Sequence, residues 1–260
     1  MENTTQEMQT GGREKSGKAL PFIIIGVSMI ICCVILTAGL VRVKKGFDNT
    51  ISATGSASMD FSSDLVVWRG SFSEHASTSK SAYAAIKKDA ELVRSYLLDN
   101  GVEKSEIVFS SVSIYESYVD RYDNDGNYVG RYQDGYDLQQ NVVITSEDID
   151  TVEKISRDIS SLLSSGVEFT SESPEYYCTK LDEVKLELIQ LATENARERI
   201  RIIADGTGSS LGKLQGSSLG VFQITAQNSG TSWYSYDGYL DTSSREKTAS
   251  ITVNLRYALK

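Results

Sequence analysis

Residues 136–166, YDLQQNVVITSEDIDTVEKISRDISSLLSSG, change period once. Tyr136, Leu138, Gln140, Val142 and Ile144 fall on every second position, the two-residue period of a strand over 135–145. From about Glu147 to Ser164 the apolar positions become Ile149, Val152, Ile155, Ile159 and Leu162. Spacings of three and four put these on one helical face. Gly166 then stops the helix. A strand that hands over to an amphipathic helix implies a sheet with helices laid against it.

The same alternation extends in both directions. Upstream, Ile51 to Ser58 reads as a strand, and Val66, Trp68, Gly70 and Phe72 share one face of another over 64–75. A helix follows from about Thr78 to Asn100, with Ala82, Ile86, Ala90, Val93 and Leu97 inward and Gly101 as its C-terminal cap. Residues 105–118 read as a strand. Downstream, the longest helix spans about Leu181 to Asp205, with Leu181, Val184, Leu188, Ala192, Ala196, Ile200 and Ile203 inward. Strands are expected near 213–226 and 246–257. In the last, Ala249, Ile251, Val253, Leu255 and Tyr257 alternate with Ser250, Thr252, Asn254 and Arg256. Half-polar strands of this kind suit antiparallel pairing with one covered face. The order ββαββα(β)αββ predicts an α+β fold: a mixed, mainly antiparallel sheet packed against about three helices.

Ahead of this lies a different kind of segment. Leu20 to Val41, LPFIIIGVSMIICCVILTAGLV, carries no charge. As a helix it would be about 33 Å long, which matches a hydrocarbon core of about 30 Å. A secretory signal has a shorter apolar region and a small-residue cleavage site; the best site here, Thr37-Ala38-Gly39, is weak. Ile31 precedes Cys32, so no lipid-attachment box is visible. The run predicts one uncleaved transmembrane helix. Arg13, Lys15 and Lys18 precede it and Arg42, Lys44 and Lys45 follow it, so flanking charge does not set the orientation. A single N-terminal anchor before a large domain is most simply N-inside. The expected organisation is a short polar cytoplasmic tail over 1–19, an anchor over 20–41, a linker over 42–50 and an extracytoplasmic domain over 51–260.

Charge narrows the partners. The formal net charge is −9, and beyond Lys45 the chain carries 20 basic and 32 acidic residues. A domain this acidic is repelled by nucleic acid and by anionic lipid. Cysteine is sparse: Cys32 and Cys33 lie in the apolar run and Cys178 stands apart, so the domain must rest on its core without disulfides. His75 is the sole histidine. A histidine-based metal site or a Ser-His-Asp triad has nothing beyond it to draw on.

Four pieces follow one another: Ile51-Ser-Ala-Thr-Gly55 followed by Asp64 before a strand, the helix end Leu97-Leu98-Asp-Asn-Gly101-Val102, Gly135-Tyr136 opening YDLQQNVVIT, and LATENARERIRIIADGTGSSLGKL with Ala192, Ala196, Arg197, Ala204, Gly208 and Gly212. In this order they resemble the SIMPL domain family. The resemblance covers about residues 50–258. Ser63 stands where the family often has proline, and Ile200 where it favours alanine. The resemblance implies a bacterial envelope protein, periplasmic or membrane-associated, with links to envelope and oxidative-stress responses and with some members assembling as oligomers. It implies no catalytic residues and no cofactor.

Four features bear on chemistry. In GTGSSLGK the glycine before Lys213 comes four residues after Gly208, Leu214 replaces Ser/Thr, and the segment follows a helix, so it fails the phosphate-loop pattern. Small residues there suit close packing and an exit turn. Asp123-Asn-Asp125-Gly126-Asn127 resembles a calcium loop, but Arg121 and Tyr132 would occupy ligand positions one and twelve; a hairpin turn explains it better. Carboxylates are plentiful, with Glu172 and Glu175 flanking Pro174 and Asp182 and Glu183 opening a helix. Cys178 would need nearby positive charge to become a reactive thiolate, and Lys180 is the local candidate.

Aromatic residues carry the stronger signal. Tyr115, Tyr118, Tyr122, Tyr128, Tyr132 and Tyr136 line the two arms of the expected hairpin, and Trp233, Tyr234, Tyr236 and Tyr239 crowd a Gly/Ser-rich loop. Tyrosine serves both as ordinary sheet cover and as interface residue. Tyr122, Tyr128, Tyr132, Trp233, Tyr234, Tyr236 and Tyr239 form the candidate contact surface, with a sister copy or an envelope protein as partner. The expected function is a non-enzymatic envelope module that binds or assembles. The alternative is an extracytoplasmic hydrolase or redox-protective enzyme using carboxylates or Cys178.

Overall fold

A computed structural model describes residues 20–47, 49–230 and 235–260. Two compact units divide the chain. The smaller gathers the described parts of Met1–Ala53 with Arg199–Ser217 and Leu255–Lys260; the larger comprises Thr54–Glu198 and Ser218–Asn254.

In the smaller unit, α1 (Leu20–Phe47) contains the apolar run and continues past it. Its Ile23–Arg42 stretch is long and apolar enough to cross a membrane, and none of it is buried against protein. Thr37 satisfies its own hydroxyl by bonding back to the Cys33 carbonyl at 2.7 Å. The unit also holds the end of α4 (Leu181–Gly206) and the start of β8 (Leu211–Leu219). Here one expectation is corrected: Ile203 is 47% exposed, and Ala204 is buried instead. The inward stripe of α4 keeps a strict spacing of four, Leu188, Ala192, Ala196, Ile200, Ala204, so its last turn presents the alanine.

The larger unit is built on a six-stranded sheet. Its centre is β2 (Leu65–Ala76) paired antiparallel with β5 (Tyr128–Ser146). The order is β3-β5-β2-β6, with β4 (Ser113–Tyr122) also on β5 and β7 (Glu175–Tyr177) also on β2. β3 (Ile107–Phe109) and β6 (Phe169–Ser171) are three-residue strands. α2 (Ser79–Asp99) and α3 (Ile149–Asp158) cover the sheet. Thr78 caps α2 by accepting from the Ser81 amide, and Asp148 caps α3 through Thr151, which are the side chains helix starts prefer. Gly101 follows α2 and Gly166 follows the 3-10 turn that continues α3, both at positive φ and both where a helix was expected to stop.

Ala82, Ile86, Val93 and Leu97 of α2 and Ile149, Val152 and Ile155 of α3 meet Val66, Trp68, Phe72, Leu138, Val142 and Ile144 of the sheet. Every inward position read from the two helices is buried or partly buried. The second half of the expected 147–164 helix is a 3-10 turn, Ile159–Ser165. At three residues per turn, Ile159 and Leu162 still face inward.

The other sheet takes the order β1-β11-β9-β10, with β8 on β11. It comprises β1 (Thr50–Ser62), β9 (Gln223–Ala226), β10 (Tyr239–Leu240) and β11 (Glu246–Leu259). The expected strand over 213–226 is therefore two, β8 and β9. Ala249, Ile251 and Val253 of β11 are buried, as alternation predicted. Gly55 shows how closely α4 lies on β1: a Cβ there would stand 2.3 Å from the Ala192 carbonyl oxygen and the Ala196 nitrogen. The three small residues set that spacing together.

Candidate functional site

The tyrosine-rich hairpin is an arm. β2 pairs with β5 from Ser146 back to Tyr136 and stops at Ala76. Tyr128 to Gly135 of β5 continue beyond that point with β4 as partner. Every residue of β4 except Ser117 is exposed. So a two-stranded ribbon projects from the sheet with both faces in solvent. Isolated ribbons of two strands are marginally stable in water.

Local contacts hold it. Tyr122 and Tyr128 stand in register at the tip with ring centroids 5.9 Å apart, edge to face. The Arg131 guanidinium lies 4.7 Å over the Tyr118 ring and 3.9 Å from Asp120. The turn is an Asx turn: Asp123 Oδ1 accepts from the Asp125 and Asn127 amides at 2.9 and 2.8 Å. Those bonds are the ones a tight hairpin turn makes, as the hairpin reading of this segment expects. Two register shifts, at Ser117/Tyr118 and Arg121/Tyr122, bend the ribbon. Gly135 lies at its root with φ +143°, and a Cβ there would meet the Ala76 carbonyl at 2.4 Å.

Tyr122, Tyr128 and Tyr132 are all exposed on this arm, with Ile114, Tyr115, Val119 and Val129 beside them. A shallow cleft of about 520 Å³ is lined by Val119, Asp120, Arg121, Tyr122 and Tyr132. In the second aromatic segment Tyr236 is 96% exposed and Tyr239 of β10 is half-exposed. Trp233 and Tyr234 lie outside the described residues. An open cleft of about 490 Å³ at this end is lined by Leu181 and Lys185 of α4 and by Phe222, Ile224, Tyr239 and Leu240, among others.

Around Cys178 the structure assembles charges the sequence keeps apart. Lys247 on β11 is 1% exposed, and its ammonium donates to the Asp241 carbonyl oxygen. Burial pulls its pKa down, opposed by Asp241 and Cys178. The Asp241 carboxylate is buried; Oδ1 accepts from the Ser243 amide and hydroxyl, and Oδ2 has no partner. Burial pushes the Cys178 thiol up, against the pull of Lys180 and Lys247, and Asp64 adds to the upward shift. Asp64 itself accepts from the Thr179 amide and hydroxyl at 2.7 and 2.6 Å. A thiol so placed stays protonated at neutral pH.

Two of the carboxylates singled out in the sequence, Glu175 and Asp182, are engaged structurally. Glu175 pairs with Arg69 at 2.5 Å and accepts from the Tyr177 hydroxyl. Asp182 pairs with Lys185 at 3.2 Å. Among the described residues no group of three His, Cys, Asp or Glu is arranged to hold a metal ion. Sequence reasoning missed Lys247 and Asp241, and also Asp89, a buried acid on the inward stripe of α2. That polar residue, set between Ile86 and Val93 on an apolar face, was the available signal.

The SIMPL family model, described as a protein of unknown function, matches residues 51–257. No curated protein matches the chain. The chain belongs to the SIMPL family.

Proposed function

We propose that this chain is a membrane-anchored contact module, non-enzymatic, whose β4–β5 arm docks a protein partner outside the cytoplasm. The observation that carries the reading is the arm: two strands, open on both faces, displaying tyrosine and aliphatic side chains that the fold does not use. Exposed apolar patches of this kind mark interaction sites. An unpaired strand edge also offers backbone groups to an incoming strand. The partner is a second copy or another envelope protein. Anchoring by α1 supports self-association, because it confines copies to one surface and raises their effective concentration. The single anchor ahead of the domain supports the N-inside orientation. Protease added outside intact cells should then digest the domain; digestion only after lysis would overturn that orientation.

The test of the contact reading is association of the intact anchored chain in detergent, by mass and by pull-down. Tyr128→Ser and Tyr132→Ser should stay folded and lose association. Normal association of both would overturn it.

A second reading has its own support. Lys247, which acts on Cys178 and is bonded to Asp241, supplies a charge that a redox-protective or hydrolytic enzyme would use. Cys178→Ser separates the two: the contact module tolerates it, and the enzyme does not.

A further inference from the structure

β2 ends where the arm begins, and its last residues pair with the root of the arm: Glu74 with Leu138, His75 with Asp137, Ala76 with Tyr136. Successive residues point to opposite faces. Glu74 continues the inward row of Val66, Trp68 and Phe72 and there meets α2. Asp89 of α2 is 6% exposed, and its Oδ2 has no hydrogen-bond partner. Two carboxylates set against each other at a helix–strand contact repel when both ionise; one shared proton replaces the repulsion with a hydrogen bond. Burial, then the bond to Asp89, raises the Glu74 carboxyl to about 7. Glu168, just ahead of β6, adds to the rise, and Lys88 of α2 opposes it.

The outward face carries the second group. His75 Nδ1 is 2.6 Å from Asp137 Oδ1, and Nε2 is 3.8 Å from Asp134 Oδ2. The bond to Asp137 holds the imidazole above its ordinary value, and Asp134 adds to it. Asp137 also accepts from Ser117 of β4, and Tyr115 of β4 stands in register with it. Both strands of the arm are thereby tied to one imidazole.

We propose that the root of the arm is a proton latch: proton uptake by the Glu74–Asp89 pair on the inner face clamps β2 to α2, proton uptake by His75 on the outer face clamps β2 to β5, the two together stiffen the arm, and proton loss releases it. The inference rests on the arm being the contact surface, and it adds the regulation of that surface by the pH outside the membrane. The two groups act with one sign. Each binds its proton more tightly folded than unfolded, so the clamp is present at low pH and lost as pH rises through the folded value. For Glu74 the window runs from 4.5 to about 7; for His75 it extends upward from 6.5.

Amide exchange on the full chain in lipid nanodiscs, one copy per disc, tests this without any partner. Protection factors for residues 115–122 and 128–136, corrected for intrinsic exchange, are compared at pH 6 and pH 8, with residues 249–253 of β11 as internal control. The arm should be about three- to tenfold better protected at pH 6, with β11 unchanged. Glu74→Gln, which gives Asp89 a permanent donor, combined with His75→Asn should flatten the response. His75→Asn alone should reduce it. Equal protection at the two pH values in the unsubstituted chain would overturn the latch, as would a full response in either variant. Because the discs hold single copies, failure of association would sink the contact reading and leave this response to be judged by itself.

Discussion

Between Tyr136 and Ser146, β5 lies among β2, β3, α2 and α3. Between Tyr128 and Gly135 the same strand has β4 alone. The two halves are similar in local character, since each mixes aromatic or aliphatic with polar residues. What differs is the company. In the first half Leu138, Val142 and Ile144 are fully covered, and burial of such side chains stabilises by about 1.5–3 kcal/mol each. In the second half Val129 and Tyr132 gain little of this. Strand propensity is thus a weak guide to where the stability of a sheet resides; neighbours across the layers decide it.

The largest effect should come from the covered half. Trp68 stacks on Phe169 at 5.7 Å and donates to Ser171 Oγ and the Glu172 carbonyl at 3.1 and 3.0 Å. Trp68→Ala should lower stability by about 3–5 kcal/mol, read as the shift of a urea midpoint. Gly55→Ala comes next. Its methyl must displace the backbone of α4, at a cost of about 1–3 kcal/mol, whereas Arg197→Leu on the exposed face of the same helix should change the midpoint by under about 0.5 kcal/mol. Equal midpoints for these two would remove the close-packing account of the small residues.

Glu74→Gln lies at the boundary between the halves and should act in the opposite direction. Because its folded pKa is raised, the unsubstituted chain loses stability as pH rises from 4.5 to about 7. The glutamine variant lacks that loss and should be more stable at pH 8 by about 1–3 kcal/mol, and no more stable at pH 4.5. Urea midpoints at the two pH values check it. The smallest effect on stability belongs to the arm. Tyr128→Ser and Tyr132→Ser should move the midpoint by under about 0.5 kcal/mol and yet weaken association about tenfold. That split, a quiet fold and a lost contact, is the sharpest form of the comparison.

Periodic segments were legible in the sequence, and short ones were not. The α2 and α3 stripes could be read because each repeats over several turns, and Thr78 marked the start of α2. β6 and β7 are three residues each, too few for alternation to register, and the strand read over 105–118 is two, β3 and β4. The change from α to 3-10 at Ile159 was hidden because both geometries turn Ile159 and Leu162 inward. Ile203 misled because it is apolar and lies three residues after Ile200, a spacing that also fits an inward face. At the candidate site the tyrosines were visible as composition. Lys247 and Cys178, or Glu74 and Asp89, come together through tertiary packing, which no spacing along the chain encodes.

The continuity of β5 has a mechanical consequence. Eleven register pairs join it to β2 from Ser146 to Tyr136, and their hydrogen bonds run perpendicular to the strand. A load applied to the tip of the arm along the strand axis reaches all of these bonds in shear at once, whereas a load across the sheet would open them one after another. A partner that grips Tyr122 and Tyr128 and pulls lengthwise therefore draws on the strongest direction of the larger unit. The arm is built to bear tension, and its weak axis is the sideways one.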